Sequence, residues 1–192
     1  ASGEAIKRGL QIAIDEVKYK KGQKYLTVVC DHFTGRVIWA AEGRSKKTVT
    51  EFFEKLGPER TAQLCLVTCD GAEWIHTVVA EHAPDAIVCL DTFHLVGWAT
   101  KALDECRRAE WNRLRERGGA KAAKQVKGLR WILLRNWEHL TGTQRGVLRD
   151  LEVTNRRLTR GYQLTEELRE ILNMALPAAR RALNEWLAWA SR

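Results

Sequence analysis

Leu64-Cys65-Leu66-Val67-Thr68-Cys69-Asp70-Gly71 decides how the rest of the chain reads. A continuous apolar run closed by an Asp-Gly turn pair describes a strand buried on both faces. Just upstream, Val49, Phe52, Phe53 and Leu56 recur at the i, i+3, i+4, i+7 spacing of an amphipathic helix, which Gly57-Pro58 ends. A helix that feeds a fully buried strand is the crossover of a parallel pair, and its right-handed return leads to a strand laid down earlier.

Three such strands precede it. Leu10, Ile12 and Ile14 alternate with Gln11, Ala13 and Asp15. After the turn Lys20-Lys21-Gly22-Gln23 comes Tyr25-Leu26-Thr27-Val28-Val29-Cys30, rich in β-branched residues. His32-Phe33-Thr34-Gly35 makes a second turn before Val37-Ile38-Trp39-Ala40-Ala41. Links this short predict an antiparallel meander. Downstream, Ile75, Val78, Val79 and His82 repeat the helical stripe, Ala83-Pro84 closes it, and Ala86-Ile87-Val88-Cys89-Leu90 is a fifth strand. The order β-β-β-α-β-α-β predicts an α/β fold with a mixed five-stranded sheet and helices on its faces.

Beyond His94 only helical periodicity remains. One long helix runs through Leu95, Trp98, Leu103, Cys106 and Leu114 and breaks at Gly118-Gly119. Further helices are expected over about 120–139, 143–158 and 165–176, with a last one opened by Pro177. Two regions follow from this: 1–94, holding the sheet, and 95–192, all helical.

Charge divides along the same line. The 192 residues carry a net +8. Residues 1–100 hold 12 basic and 13 acidic side chains, whereas residues 101–135 hold 11 basic and 4 acidic. One helical segment therefore carries nearly all the excess. Arg107, Arg108, Arg113, Arg115, Arg117, Lys121, Lys124 and Lys127 are its candidate nucleic-acid contacts, weighed against an ordinary solvated helix face. Apolar residues at 45% are enough for a sizeable core, and no run reaches the length of a membrane span. Ala1-Ser2-Gly3-Glu4 leads into mixed charge rather than a signal peptide, so a cytoplasmic location is expected. The five cysteines form no C-x-x-C pair. Cys30, Cys65 and Cys89 sit in strand-like runs, where a reduced thiol acts as a small hydrophobe, a reading preferred to a zinc site from Cys65, Cys69 and a histidine.

Chemistry centres on Asp15 and Asp70. Asp15 lies in the first strand and Asp70 at the end of the fourth. Taken singly, one is a strand carboxylate and the other a turn former. If the fourth strand pairs in parallel beside the first, the two come together from 55 residues apart. Neighbouring carboxylates repel, and a hard divalent cation, Mg²⁺ or Mn²⁺, resolves the repulsion. Asp91-Thr92-Phe93-His94 leaves the fifth strand at the same end. There His94 can face a phosphate or a ligand, while Asp91 or Thr92 opens the long helix as a cap.

Several motifs in order now resemble one family. Ile14-Asp15-Glu16-Val17-Lys18-Tyr19-Lys20-Lys21-Gly22-Gln23-Lys24-Tyr25-Leu26-Thr27-Val28-Val29 is similar to the opening of the catalytic domain of bacterial insertion-sequence transposases of the ISL-three family, in the DDE superfamily. Asp31-His32-Phe33-Thr34-Gly35-Arg36-Val37, Thr68-Cys69-Asp70-Gly71 and Asp91-Thr92-Phe93-His94-Leu95-Val96 are similar too, and the likeness spans roughly Ile12 to Trp186. The resemblance implies an RNase H-like fold and an Asp-Asp-Glu triad holding two Mg²⁺ or Mn²⁺ ions. It implies DNA as substrate, at element ends and target, for strand cleavage and transfer in transposition. The first two acids match Asp15 and Asp70, Asp91 and His94 match a site-supporting motif, and residues 95–192 look like a helical insertion. The nucleoid, possible homo-oligomers and no small-molecule cofactor belong to the same expectation. The family's late Asn-Gly-x-x-Glu-Gly-x-Asn stretch does not occur. Glu138, Glu166, Glu167, Glu170 and Glu185 all lie in helical patterns, so the third acid is expected beyond Arg192 and the chain is expected to be an incomplete catalytic domain. Two alternatives stand beside this: a non-catalytic DNA-binding or assembly module, and a stand-alone RNase H-like nuclease. Trp111, Trp131, Trp137, Trp186 and Trp189, spaced among leucines, are expected in the helical core rather than on bases.

Overall fold

The computed structural model describes residues 9–22 and 24–192. The expectation drawn from Ala1-Ser2-Gly3-Glu4 and the last residue of the first turn, Gln23, lie outside them. The chain divides into two compact units, one ending at His94 and one running Leu95–Arg192.

The first unit is built on five strands in the order β3-β2-β1-β4-β5. β1 (Leu10–Lys20), β2 (Lys24–Asp31) and β3 (Val37–Glu42) form the antiparallel meander. After α1 (Lys46–Leu56) and the single turn α2 (Pro58–Thr61), β4 (Leu64–Cys69) pairs in parallel with β1. α3 (Glu73–His82) then leads to β5 (Ile87–Leu90), parallel to β4. This is the mixed sheet of an RNase H-like fold, as the element order predicts. Its core forms on one face, where Ile12, Ile14, Val29, Val67 and Cys69 meet Val49, Phe52 and Phe53 of α1 and Ile75, Val78 and Val79 of α3. Burying each such aliphatic side chain contributes about 1.5–3 kcal/mol. α2 was not expected, because four residues are too few for a periodic signal. β1 also runs further than its apolar alternation, since hairpin pairing with β2 carries it through polar residues to Lys20.

The second unit contains α5 (Ala120–Gly128), α6 (Arg130–Leu133), a 3-10 turn (Trp137–His139), α7 (Gly142–Thr154), α8 (Arg156–Leu172) and α9 (Leu176–Ala190); α4 (Thr92–Glu116) leads into it. The single helix expected over 120–139 is thus three short pieces, with the first break at Gly128, a poor helix former. The expected gap near 159–164 is also absent. The break comes at Asn155, whose side chain accepts the Leu158 N–H and caps α8. Thr141 and Gln144 form a reciprocal capping box on α7. Leu103, Leu129, Leu133, Leu148, Leu151, Leu158 and Tyr162 make this unit's core.

None of the five tryptophans is among the buried residues of that core, contrary to expectation. Trp131 is 69% exposed. Arg115 and Lys127 lie over Trp111, Arg130 over Trp131, Arg145 over Trp137 and Arg160 over Trp189. Trp111 packs half-buried against the core and Trp186 donates its indole N–H to the Leu164 carbonyl at 2.8 Å, while the Trp131 and Trp137 rings stay at the surface against cations.

Candidate active site

Parallel pairing determines the site. Ile14 is opposite Cys69 in the last β1–β4 pair, so the next residues along the two strands are Asp15 and Asp70. Cys69 is opposite Leu90 in the last β4–β5 pair, so the next residue of β5's chain is Asp91. The Asp91 N–H donates to the Cys69 carbonyl at 2.8 Å, extending the ladder by one rung. Asp70 and Asp91 therefore sit at the carboxyl ends of β4 and β5, where α/β sheets bind ligands, beside Asp15, which lies within β1 opposite Val28 just past the last β1–β4 pair.

Each is held by a local hydrogen bond through Oδ1. Asp15 accepts the Glu16 N–H at 2.7 Å, Asp70 accepts the Ala72 N–H at 2.9 Å, and Asp91 accepts the Phe93 N–H at 2.8 Å. Asp91 Oδ2 faces His94 Nδ1 at 3.3 Å, which fixes the ring and leaves Nε2 for another partner. His76, on the second turn of α3, places Nε2 3.2 Å from the Asp70 carbonyl and ties that turn to the helix.

Two residues absent from the sequence-based candidates complete the surroundings. Glu16 continues the Ile12–Ile14 alternation onto the core side, and its side chain is only 7% exposed. Arg44, just after β3, forms an ion pair with Glu16 Oε2 and lies 5.3 Å from the Tyr25 ring. Glu16 Oε1 is buried without a hydrogen-bond partner among the described residues. Burial raises the Glu16 carboxyl above the ordinary range; Arg44 opposes this, and Asp70 and then Asp15 add to it. Period-2 alternation alone could have flagged Glu16, whereas Arg44 reaches it only through the fold. Burial, with Asp70 and Cys89 adding, pushes the Cys69 thiol up to about 11, so it is a neutral hydrophobe.

Asp15 and Asp70 present the oxygen donors that a hard divalent cation takes, each with Oδ2 outside these local bonds. Two carboxylates do not complete such a site: among the described residues no three His, Cys, Asp or Glu side chains form a group able to hold a metal ion. That covers Glu138, Glu166, Glu167, Glu170 and Glu185, and also the Cys65, Cys69 and histidine set. Glu166 instead accepts the Trp137 N–H and bridges Arg169.

In the helical unit the basic candidates separate into two groups. Arg107 is 5% exposed and bound to Asp104 through both Nε and Nη2, and Arg113 forms a two-pronged bond to buried Glu110. Arg108 touches Asp104 at its exposed edge. Arg115, Arg117, Lys121, Lys124 and Lys127 are exposed. Among the described residues no helix is long and apolar enough to cross a membrane.

A transposase family model of the DDE ISL3 class matches residues 12–192. The transposase for insertion sequence element IS1557 of Mycobacterium tuberculosis is 42% identical over 201 residues, covering 95% of this chain and 45% of that protein. The transposase for insertion sequence element IS1001 of Bordetella parapertussis is 33% identical over 183 residues, covering 94% of this chain and 45% of that one. The chain thus spans a little under half the length of these relatives.

Proposed function

Because the chain belongs to the ISL3 family of DDE transposases, we propose that it carries the first two acids of a metal-dependent centre for DNA strand cleavage and transfer. The observation that supports this is the β1–β4 register, which brings Asp15 and Asp70 to adjacent positions where that pairing ends. In this reading both carboxylates bind Mg²⁺ or Mn²⁺ through their oxygens. When bound, two such ions activate the attacking oxygen and stabilise the leaving oxygen of a phosphodiester. Asp91 orients His94, whose Nε2 meets a phosphate oxygen of the DNA. In this reading the third acid comes from outside these residues: the family's late Asn-Gly-x-x-Glu-Gly-x-Asn stretch does not occur in them, and the chain spans 45% of the length of its relatives. DNA at element ends and target is the substrate, homo-oligomers assemble on it, and the bacterial nucleoid is the place of action.

Calorimetric titration with Mn²⁺ tests the assignment. The chain is expected to bind Mn²⁺ and the Asp15→Asn variant to lose most of that binding. Equal binding by both would remove Asp15 from the metal site. A second reading, a non-catalytic DNA-binding or assembly role, draws on the exposed cations Arg115, Arg117, Lys121, Lys124 and Lys127. Both roles are compatible in one protein.

A further inference from the structure

The sheet has a second feature at the far end of β1. β3 stops at Glu42, opposite Leu26, whereas the β1–β2 hairpin continues to the Lys20–Lys24 pair. Gly43, at φ 124°, turns the chain away, held by its N–H to the Tyr25 carbonyl at 2.9 Å and by the Thr27 hydroxyl on its own carbonyl at 2.9 Å. A side chain there would meet Thr48 Oγ1 at 2.6 Å, so the corner is rigid and specific to glycine. The notch left beside it is a concavity of about 660 Å³ lined by Tyr19, Lys24, Tyr25, Glu42, Gly43 and Arg44.

Its chemistry suits an anion. Lys24 and Arg44 line it, and Lys18, Lys20 and Lys21 of the same hairpin are exposed. The two carboxylates nearby are already engaged: Glu16 by Arg44, and Glu42 by the Tyr19 hydroxyl at 2.7 Å. The β1–β2 register slips by one residue between Lys18 and Lys20, leaving Tyr19 as the extra residue, a bulge that redirects its side chain. Lys20 Nζ lies 5.5 Å from the Tyr19 ring and the Arg44 guanidinium 5.3 Å from the Tyr25 ring, so both long cations are held in place. Lys46 and Lys47 open α1, a helix with no acid in its first turn. Cations there oppose the helix dipole at about 0.3–1 kcal/mol each, a local rule broken where a nearby anion would offset it.

We propose that this notch binds a phosphodiester of the DNA strand that passes the Asp15 end of the sheet. Tyr19 lies four positions along β1 from Asp15, about 13 Å at strand rise, or about four steps of B-DNA. Arg44 belongs to both places, bonded to Glu16 beside Asp15 and lining the notch. The proposal rests on the DNA-processing reading above, but it concerns binding and needs no metal.

The test is fluorescence anisotropy of a labelled 30-base-pair duplex with the full chain in EDTA, across a salt series. The double variant Lys20→Ala/Lys24→Ala should weaken binding about fivefold or more and lower the salt slope by about 2, one per lost phosphate contact. Lys20→Arg/Lys24→Arg should restore both. Unchanged affinity and slope in the alanine variant would overturn the proposal, as would inorganic phosphate displacing the duplex at constant ionic strength, which marks a small-anion site. If Asp15→Asn keeps full Mn²⁺ binding while the lysine effect persists in EDTA, the metal reading fails and the notch stands.

Discussion

Glu16 shows how a single residue links core and site. A carboxylate on the core side of β1 costs free energy unless it is paired, and Arg44 is its partner. Removing Arg44 leaves a buried charge without compensation, so Arg44→Ala is expected to destabilise the protein by about 1–3 kcal/mol. Glu16→Gln, which removes the charge, should cost less. Urea denaturation of both variants checks the order; a neutral Arg44→Ala would show the pair to be inert. Asp15 differs from Glu16 although it is the adjacent residue. It is exposed and its substitution should leave stability nearly unchanged. Sequence alternation separates the two by face, but it does not indicate that Asp15 ends beside Asp70.

At the scale of elements, helix ends in the second unit meet at one carboxylate. Glu110 of α4 accepts Arg113 Nε at 2.7 Å and Asn155 Nδ2 at 2.9 Å, and Asn155 is also the cap of α8. Arg113's hydrogen bonds, chiefly, hold the Glu110 carboxyl below its usual 4.5. A depressed carboxyl stabilises the fold above its unfolded value, and that contribution is lost as pH falls through the folded value. Arg113→Ala should therefore lower stability at pH 7, with the deficit shrinking on acidification below about pH 4.5. Urea midpoints at pH 7 and pH 3 measure this, and a deficit independent of pH would show that Arg113 acts by packing alone. The sequence showed the helices of this unit and their breaks at Gly118-Gly119 and near Thr141, but not those at Gly128 and Asn155. A cap such as Asn155 is one polar residue inside a continuing apolar stripe, and periodicity averages over it.

For the whole molecule the question is where DNA contacts lie. The excess charge of residues 101–135 pointed to the helical unit, where Lys121 and Lys124 remain exposed while Arg107 is buried on Asp104. Lys121→Glu/Lys124→Glu is expected to weaken duplex binding and flatten its salt dependence by about one unit of slope per contact. Unaltered binding in that variant would make the segment a solvated face. Such a variant in each unit, measured in one salt series, apportions the electrostatic contacts between them.

What the sequence by itself determined was the element order, the mixed sheet and the family, because β alternation, helical stripes and ordered motifs are local patterns. It also selected Asp15 and Asp70. Strand register made those two neighbours, since a parallel pair joins residues that chain connectivity keeps 55 apart. The Arg44–Glu16 pair, the notch beside Gly43, the cations over the tryptophans and the burial of Arg107 were decided only by the tertiary structure. Each depends on which side chains desolvate one another across elements, and that desolvation sets whether a charge is a solvated decoration, a structural pair or a ligand.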